Sequence, residues 1–179
     1  MNVAICGYGA GNVLSVEIAF RRLGAQIVTE VADADLAVLP GVGSARAAMA
    51  GLQERGHDVA LRERFDGGRP ILGICLGLQL ALDWTEEDGG VEGLGLVPGR
   101  ALRLREGRVP RMGWADVDQR GAFYFAHAYA AETAHASAWS EGVVAEARFG
   151  SFLGCQFHPE KSGALGARYL EEASSLSRV

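Results

Sequence analysis

Residues 70–79 constrain the fold more than any other stretch of the chain. An apolar run at 70–74 reads as a buried strand, and an apolar run at 76–82 reads as a helix. Only Cys75 separates them. The junction, Gly73-Ile74-Cys75-Leu76-Gly77, has the Gly-x-nucleophile-x-Gly form of a strand-to-helix elbow, with a thiol where a hydrolase would carry serine. Small residues on both sides let the backbone turn sharply. The sulfur then stands at a helix N-terminus, where the dipole favours the thiolate.

The stretch before the elbow alternates in the same way. Residues 3–6 read as a strand, and Asn12 can cap a helix whose apolar face is Val13, Leu14, Ile18 and Leu23, stopped by Gly24. Strands follow at 25–31 and 36–39, the latter ending in Pro40-Gly41-Val42-Gly43. Ser44 opens a helix to Leu52, and Asp58 caps another that ends at Gly67-Gly68. Strands separated by helices imply a mostly parallel central sheet with helices on both faces, an α/β fold whose site lies at the C-terminal ends of the strands.

The second half changes character. Short strand-like runs at 101–104, 114–117 and 122–125 are broken by Gly, Pro and Asp, which suggests antiparallel additions to the parallel core. Two further strands are expected at 143–148 and 152–157. A last helix is expected over 164–176, with Leu165, Tyr169, Leu170 and Ala173 facing inward. No repeat or linker divides the chain, so residues 1–179 are expected to form a single domain.

The segment Gln156-Phe157-His158-Pro159-Glu160 carries the second chemical signal. In an extended segment, positions i and i+2 share a face, and Pro159 stiffens the spacing. An imidazole steadied by a carboxylate is the partner that a nucleophilic thiol needs. Taken singly, Cys75 could be a packed thiol, His158 a satisfied core histidine and Glu160 a surface charge; together they point to catalysis. The loop at 7–12 has the look of a dinucleotide fingerprint but carries Asn12 where the last glycine belongs, so a tight turn is the simpler reading.

Composition narrows the partners. The net charge of −5 and the scatter of the arginines argue against nucleic acid or a membrane surface. No apolar run is long enough for a membrane span, and none resembles a signal peptide. Three cysteines without CxxC spacing suggest a reducing compartment, hence cytoplasm, and no zinc site. Glu86-Glu87-Asp88 reads as a solvated loop, and His57 and His135 as solvated side chains.

The elbow with Gln79 four residues on, together with His158-Pro159-Glu160, resembles the class I triad glutamine amidotransferases. The order of Tyr8-Gly9-Ala10-Gly11-Asn12, Leu39-Pro40-Gly41-Val42-Gly43, Gly93-Leu94-Gly95, Pro110-Arg111-Met112-Gly113-Trp114 and Phe125-Ala126-His127-Ala128-Tyr129 is similar to their glutaminase subunits of imidazole glycerol phosphate synthase. The resemblance spans nearly the whole chain. It departs at Cys6-Gly7, Ala115, Ala128 and a short 116–122 segment, none of which touches the triad.

The resemblance implies the class I amidotransferase fold and glutamine hydrolysis in histidine biosynthesis, with no cofactor and no metal. It implies Cys75 as nucleophile, His158 as base and Glu160 as its orienting carboxylate. The backbone N–H groups of Leu76 and Val42 would form the oxyanion hole, the second once the flanking glycines let its peptide rotate. Gly41, Gly43, Gln79, His127, Ala128 and Tyr129 would hold L-glutamine. The ammonia would pass to a separate β/α-barrel cyclase subunit, giving a heterodimer with contacts at Asn12, Met112, Gly113 and Trp114. Two other readings stay open: a glutaminase for another synthase, such as one making pyridoxal phosphate, and a non-catalytic nucleotide-binding module.

Overall fold

The computed structural model describes residues 1–9 and 13–175. Asn12, expected as a helix cap and partner contact, lies outside the described residues. In chain order the elements are β1 (Asn2–Ile5), α1 (Val13–Arg22), β2 (Gln26–Val28), β3 (Leu36–Leu39), α2 (Ala45–Glu54), α3 (His57–Asp66), β4 (Ile71–Ile74) and α4 (Leu76–Ala81). Then come β5 (Leu82–Thr85), β6 (Val91–Glu92), β7 (Val97–Arg103), β8 (Arg111–Asp116), β9 (Ala122–His127), β10 (Tyr129–Glu132), β11 (Ala136–Ser140), β12 (Val143–Phe149), β13 (Phe152–Cys155) and α5 (Gly163–Ser175).

The central sheet runs β2-β1-β3-β4-β13-β12-β11. Pairing is parallel from β2 through β13, and β12 and β11 add antiparallel. This is the α/β arrangement expected, antiparallel additions included. Its strands are apolar on both sides because each face is covered. On one face Ala4, Ala37, Leu39 and Ile71 pack with Ala48, Met49 and Leu52 of α2 and Leu61 of α3. On the other Val3, Leu36, Val38, Leu72 and Ile74 pack with Val16 and Phe20 of α1 and Tyr169 and Leu170 of α5.

One register positions the chemistry. β13 lies beside β4 with Cys155 opposite Ile74, and the Cys75 N–H donates to the Cys155 carbonyl at 2.7 Å. Two motifs more than eighty residues apart therefore leave adjacent strands at the same edge. A second, four-stranded sheet, β10-β7-β5-β6, and the β8–β9 hairpin wall that edge.

Several local expectations change. In α1 the buried residues are Val16 and Phe20, whereas Leu14 and Ile18 are 67% and 40% exposed. Leu14 and Ile18 of the apolar stripe read from the sequence thus face out, while Leu23 packs against the core, because one short helix carries apolar residues on two sides and only one can meet the sheet. Gly56, not Asp58, precedes α3; Asp58 instead pairs with Arg62 at 3.1 Å one turn on. The helix after the elbow stops at Ala81 because Leu82 enters β5, a strand hidden in the sequence by its short length. His158 and Glu160 are not on a strand: residues Pro159–Lys161 form a 3-10 turn with His158 as its cap. Ser44 caps α2 as expected, its hydroxyl accepting from Ala47 N–H at 3.3 Å.

Candidate active site

Cys75 sits at φ 50°, ψ −105°, a conformation that costs a non-glycine residue free energy and that close packing holds in place. The packing is tight: a Cβ on Gly77 would lie 2.0 Å from the Leu39 carbonyl, and one on Gly41 1.7 Å from that of Ile74. Glycine is required at both positions because backbone meets backbone there. Leu76 is the first residue of α4, so its N–H has no acceptor within the helix, and the residue lines the cleft beside Cys75.

His158 stands behind the sulfur. Its N–H donates to the Tyr124 carbonyl at 2.8 Å, its carbonyl accepts from the Ser162 hydroxyl at 2.7 Å, and that hydroxyl accepts from Tyr124 N–H at 3.0 Å. The turn is thereby stitched to β9. The imidazole hydrogen-bonds Cys75, and its Nδ1 lies 2.8 Å from Glu160 Oε1, with both side chains 2% exposed. Burial pulls the His158 pKa down, but the hydrogen bonds to Cys75 and Glu160 overcome it and raise it to about 9. Near neutral pH the ring is an imidazolium between two partners that favour its charge. The 3-10 turn delivers the contact that an extended segment was expected to make.

The cleft in front of the sulfur has a volume of about 180 Å³. Gly41, Val42, Gly43, Leu76, Gln79, His127, Ala128 and Tyr129, all expected around a bound glutamine, line it with Cys75, Ala126 and Glu87. A larger cleft of about 970 Å³ runs beside β7 and β10, lined by Arg103, Arg105, Arg108 and Arg111, and holds none of the triad.

Three details alter the expected roles. Gln79 turns its amide nitrogen inward, donating to the Tyr129 carbonyl at 2.7 Å and to Gln156 Oε1 at 3.2 Å, so only its oxygen is left for a ligand. The carbonyls of Ala128 and Tyr129 already accept from Leu104 N–H and from Gln79 and His127. The Val42 N–H, expected as an oxyanion donor, donates instead to the Tyr8 hydroxyl at 3.1 Å. That hydroxyl has its own acceptors in the Val42 and Pro40 carbonyls, at 2.9 and 3.1 Å. Burial keeps the Tyr8 phenol well above its ordinary pKa, so it is neutral and serves as both donor and acceptor.

His127, expected to hold the substrate, lines the cleft. Its ring is fixed: Nδ1 donates to the Tyr129 carbonyl at 2.9 Å, while Nε2 is buried without a partner among the described residues. Burial lowers its pKa to about 4, so the ring is neutral. Cys6 and Cys155 are packed thiols, the first raised to about 12 by burial. On the β8–β9 hairpin Met112 and Trp114 are 62% and 60% exposed, and Gly113 between them has open space around it.

Glu87, Tyr8 and Gln156 are the neighbours that sequence reasoning missed. Glu87 is half-buried, accepts from Ala45 N–H at 3.1 Å and lines the cleft, so this one member of the acidic loop is drawn into the site while Asp88 stays exposed as expected. Burial raises its pKa, and the Ala45 N–H acts in the opposite sense. Nothing local in Glu86-Glu87-Asp88 signals this, because α2 lies forty residues away in sequence. Gln156 did carry a signal: it is a lone amide in an apolar run, and a buried amide needs partners. His57 and His135 are likewise less solvated than expected, His57 hydrogen-bonding the Gly7 backbone and the His135 ring packing tilted against Phe149 with centroids 4.3 Å apart.

Among the described residues no helix is long and apolar enough to cross a membrane. The family model for glutamine amidotransferase class-I matches residues 10–174. The imidazole glycerol phosphate synthase subunit HisH of Carboxydothermus hydrogenoformans is 40% identical over 96% of this chain and 98% of its own length. That of Moorella thermoacetica is 42% identical over 98% and 95%. Among solved structures, a glutamine amidotransferase superposes with a TM-score of 0.80 at 20% identity, covering 99% of both chains. PurLQS from Thermotoga maritima gives 0.74 at 15% identity, covering 97% of this chain and 96% of its own.

Proposed function

The chain belongs to the class-I glutamine amidotransferases, on the branch of the HisH subunits of imidazole glycerol phosphate synthase, and we propose that it cleaves glutamine at Cys75 and hands the ammonia to a separate cyclase subunit. Residues 1–179 act as one amidotransferase domain in the cytoplasm. What supports the chemistry is the buried line Cys75–His158–Glu160 at the mouth of the small cleft. The relatives named HisH favour this reading over a glutaminase for a vitamin-making synthase.

The proposed cycle uses each of these residues in turn. Glutamine enters with its α-ammonium toward Glu87, the carboxylate that lines the cleft, and its side-chain amide over Cys75. Sulfur attacks the amide carbon and the carbonyl oxygen becomes an oxyanion. The imidazolium gives its proton to the leaving nitrogen, the C–N bond breaks, and ammonia departs to leave a glutamyl thioester. His158 then takes a proton from water, hydroxide adds to the thioester, and glutamate leaves as the sulfur is released. Glu160 keeps the ring in one tautomer and offsets its charge throughout.

The oxyanion needs donors. Leu76 N–H is one. Val42 N–H is the second, once it leaves the Tyr8 hydroxyl. A single such donor contributes about 2.7–4 kcal/mol to the barrier elsewhere, so the resting loop corresponds to a weak glutaminase. The partner is a β/α-barrel cyclase that docks on the exposed Met112, Gly113 and Trp114, and the family resemblance adds Asn12 to the contact; Leu14 and Ile18 add apolar surface. Docking and loading of that partner release the loop.

The test is an assay of two activities in one complex. Cys75→Ala and Cys75→Ser should abolish glutamine hydrolysis and leave synthesis from added ammonium salts intact. Loss of both in a complex that still assembles would contradict the division of labour.

A further inference from the structure

We propose that Gln156 is a positioning residue for the nucleophile, its side-chain amide oriented by Gln79 so that one N–H points at Cys75 Sγ and favours the sulfur as an anion. The inference rests on Cys75 being the nucleophile. It concerns a residue outside the triad and outside the cleft lining.

A primary amide has two chemically different ends, and a buried one must be told which way to face. Here the instruction starts from a backbone carbonyl. The Tyr129 carbonyl can only accept, so the Gln79 amide must present nitrogen to it, at 2.7 Å. The same nitrogen donates its other hydrogen to Gln156 Oε1 at 3.2 Å. With its oxygen committed, Gln156 has only Nε2 left to face Cys75, and it lies 3.5 Å from Sγ, an N–H···S distance. Gln156 is fully buried and Gln79 is 3% exposed, so no solvent competes for any link. Tyr129 starts β10 of the four-stranded sheet and Gln156 directly follows β13 of the central sheet, so the relay is held from two sides.

The direction of the last link matters chemically. A thiol sulfur accepts weakly and a thiolate strongly, so an N–H aimed at sulfur favours the charged form. A neutral thiol has a different partner: the Ala126 carbonyl, 3.9 Å away, can receive an S–H but offers nothing to an anion. The Ala126 carbonyl thus suits the thiol, whereas His158 and Gln156, both donors, suit the thiolate that attacks.

The test uses the full chain in complex with its cyclase subunit. Gln156→Met keeps the volume and removes the N–H. Gln156→Glu keeps the acceptor for Gln79 and puts an anion against the sulfur. The titratable groups that surround Cys75 (His158, Glu160, His127, Cys155, Tyr8 and Glu87) are untouched in both. The first readout is the pH profile of Cys75 alkylation by iodoacetamide without glutamine, with Cys75→Ala giving the background from the other thiols. A hydrogen bond to an ion is equivalent to about one to two pH units, and sulfur lies at the weak end. The profile of Gln156→Met should move to higher pH by about one unit, and that of Gln156→Glu by more. The second readout is steady-state hydrolysis: kcat should fall about tenfold with KM within about twofold.

Should both variants fail to fold, Gln79→Met tests the same relay, because it frees the Gln156 amide to rotate. It should give a smaller displacement of the alkylation profile in the same direction. A folded variant whose profile coincides with wild type overturns the inference, as does a raised KM at unchanged kcat. A wild-type complex that hydrolyses no glutamine would overturn the parent reading instead, so the two failures are distinct.

Discussion

Replacing Tyr8 by Phe removes one oxygen from the protein and nothing else. The ring stays seated on α2, where a Cβ at Gly51 would come within 2.3 Å of the Tyr8 carbonyl, so the local backbone has no room to shift. The lost hydroxyl held the Val42 N–H at 3.1 Å and gave its own proton to one of two loop carbonyls. Two net hydrogen bonds at roughly 0.5–1.5 kcal/mol each put the resting loop about 1–3 kcal/mol higher. If the loop must leave this state for Val42 N–H to reach the oxyanion, the rotation becomes easier by the same amount. At about 1.4 kcal/mol per factor of ten, glutamine hydrolysis by the chain without its partner should rise between about fivefold and a hundredfold. Hydrolysis in the fully activated complex should stay within about twofold, because there the loop has already moved. The assay is glutamate release by the isolated chain and by the loaded complex, with thermal unfolding to confirm that both proteins are folded. A folded Tyr8→Phe chain whose partner-free rate equals or falls below wild type would refute the idea that this hydroxyl restrains the loop.

Two further outcomes are expected. His158 is raised from 6.5 to about 9 in the fold, so its contribution is fully present below pH 6.5 and is lost as pH climbs through 9. Chemical denaturation should show stability declining over that window, by about 3 kcal/mol at most, and the decline should be shallower in Cys75→Ala, which lacks the sulfur partner. Trp114→Ala removes a side chain that is 60% exposed and touches Tyr124 only edge-on at 6.1 Å. It should leave stability within about 0.5 kcal/mol and weaken binding to the cyclase subunit by about 2 kcal/mol or more, measurable by titration calorimetry; unchanged affinity would move the interface elsewhere.

Glu87 and Tyr8 show where reading the chain in order stops working. Each acquires its role from a partner more than thirty residues away: Ala45 for Glu87, Val42 for Tyr8. No local pattern encodes such a pairing. Leu14 and Ile18 show a second limit. Periodicity marks apolar residues but not which of two apolar stripes meets the sheet, and here the outward one was read as core.

What the sequence determined by itself was the elbow at Cys75, the strand–helix alternation around it and the chemical types of the triad. These are local properties: turn sterics, periodicity and side-chain chemistry act within a few residues. Only tertiary structure decided how they meet. The parallel register of β4 and β13 brings Cys75 and Gln156 side by side, and a 3-10 turn rather than a strand joins His158 to Glu160. The Val42 N–H rests on Tyr8. Those are contacts between distant segments, selected by packing and by the cost of leaving buried polar groups unpaired, and no single segment contains them.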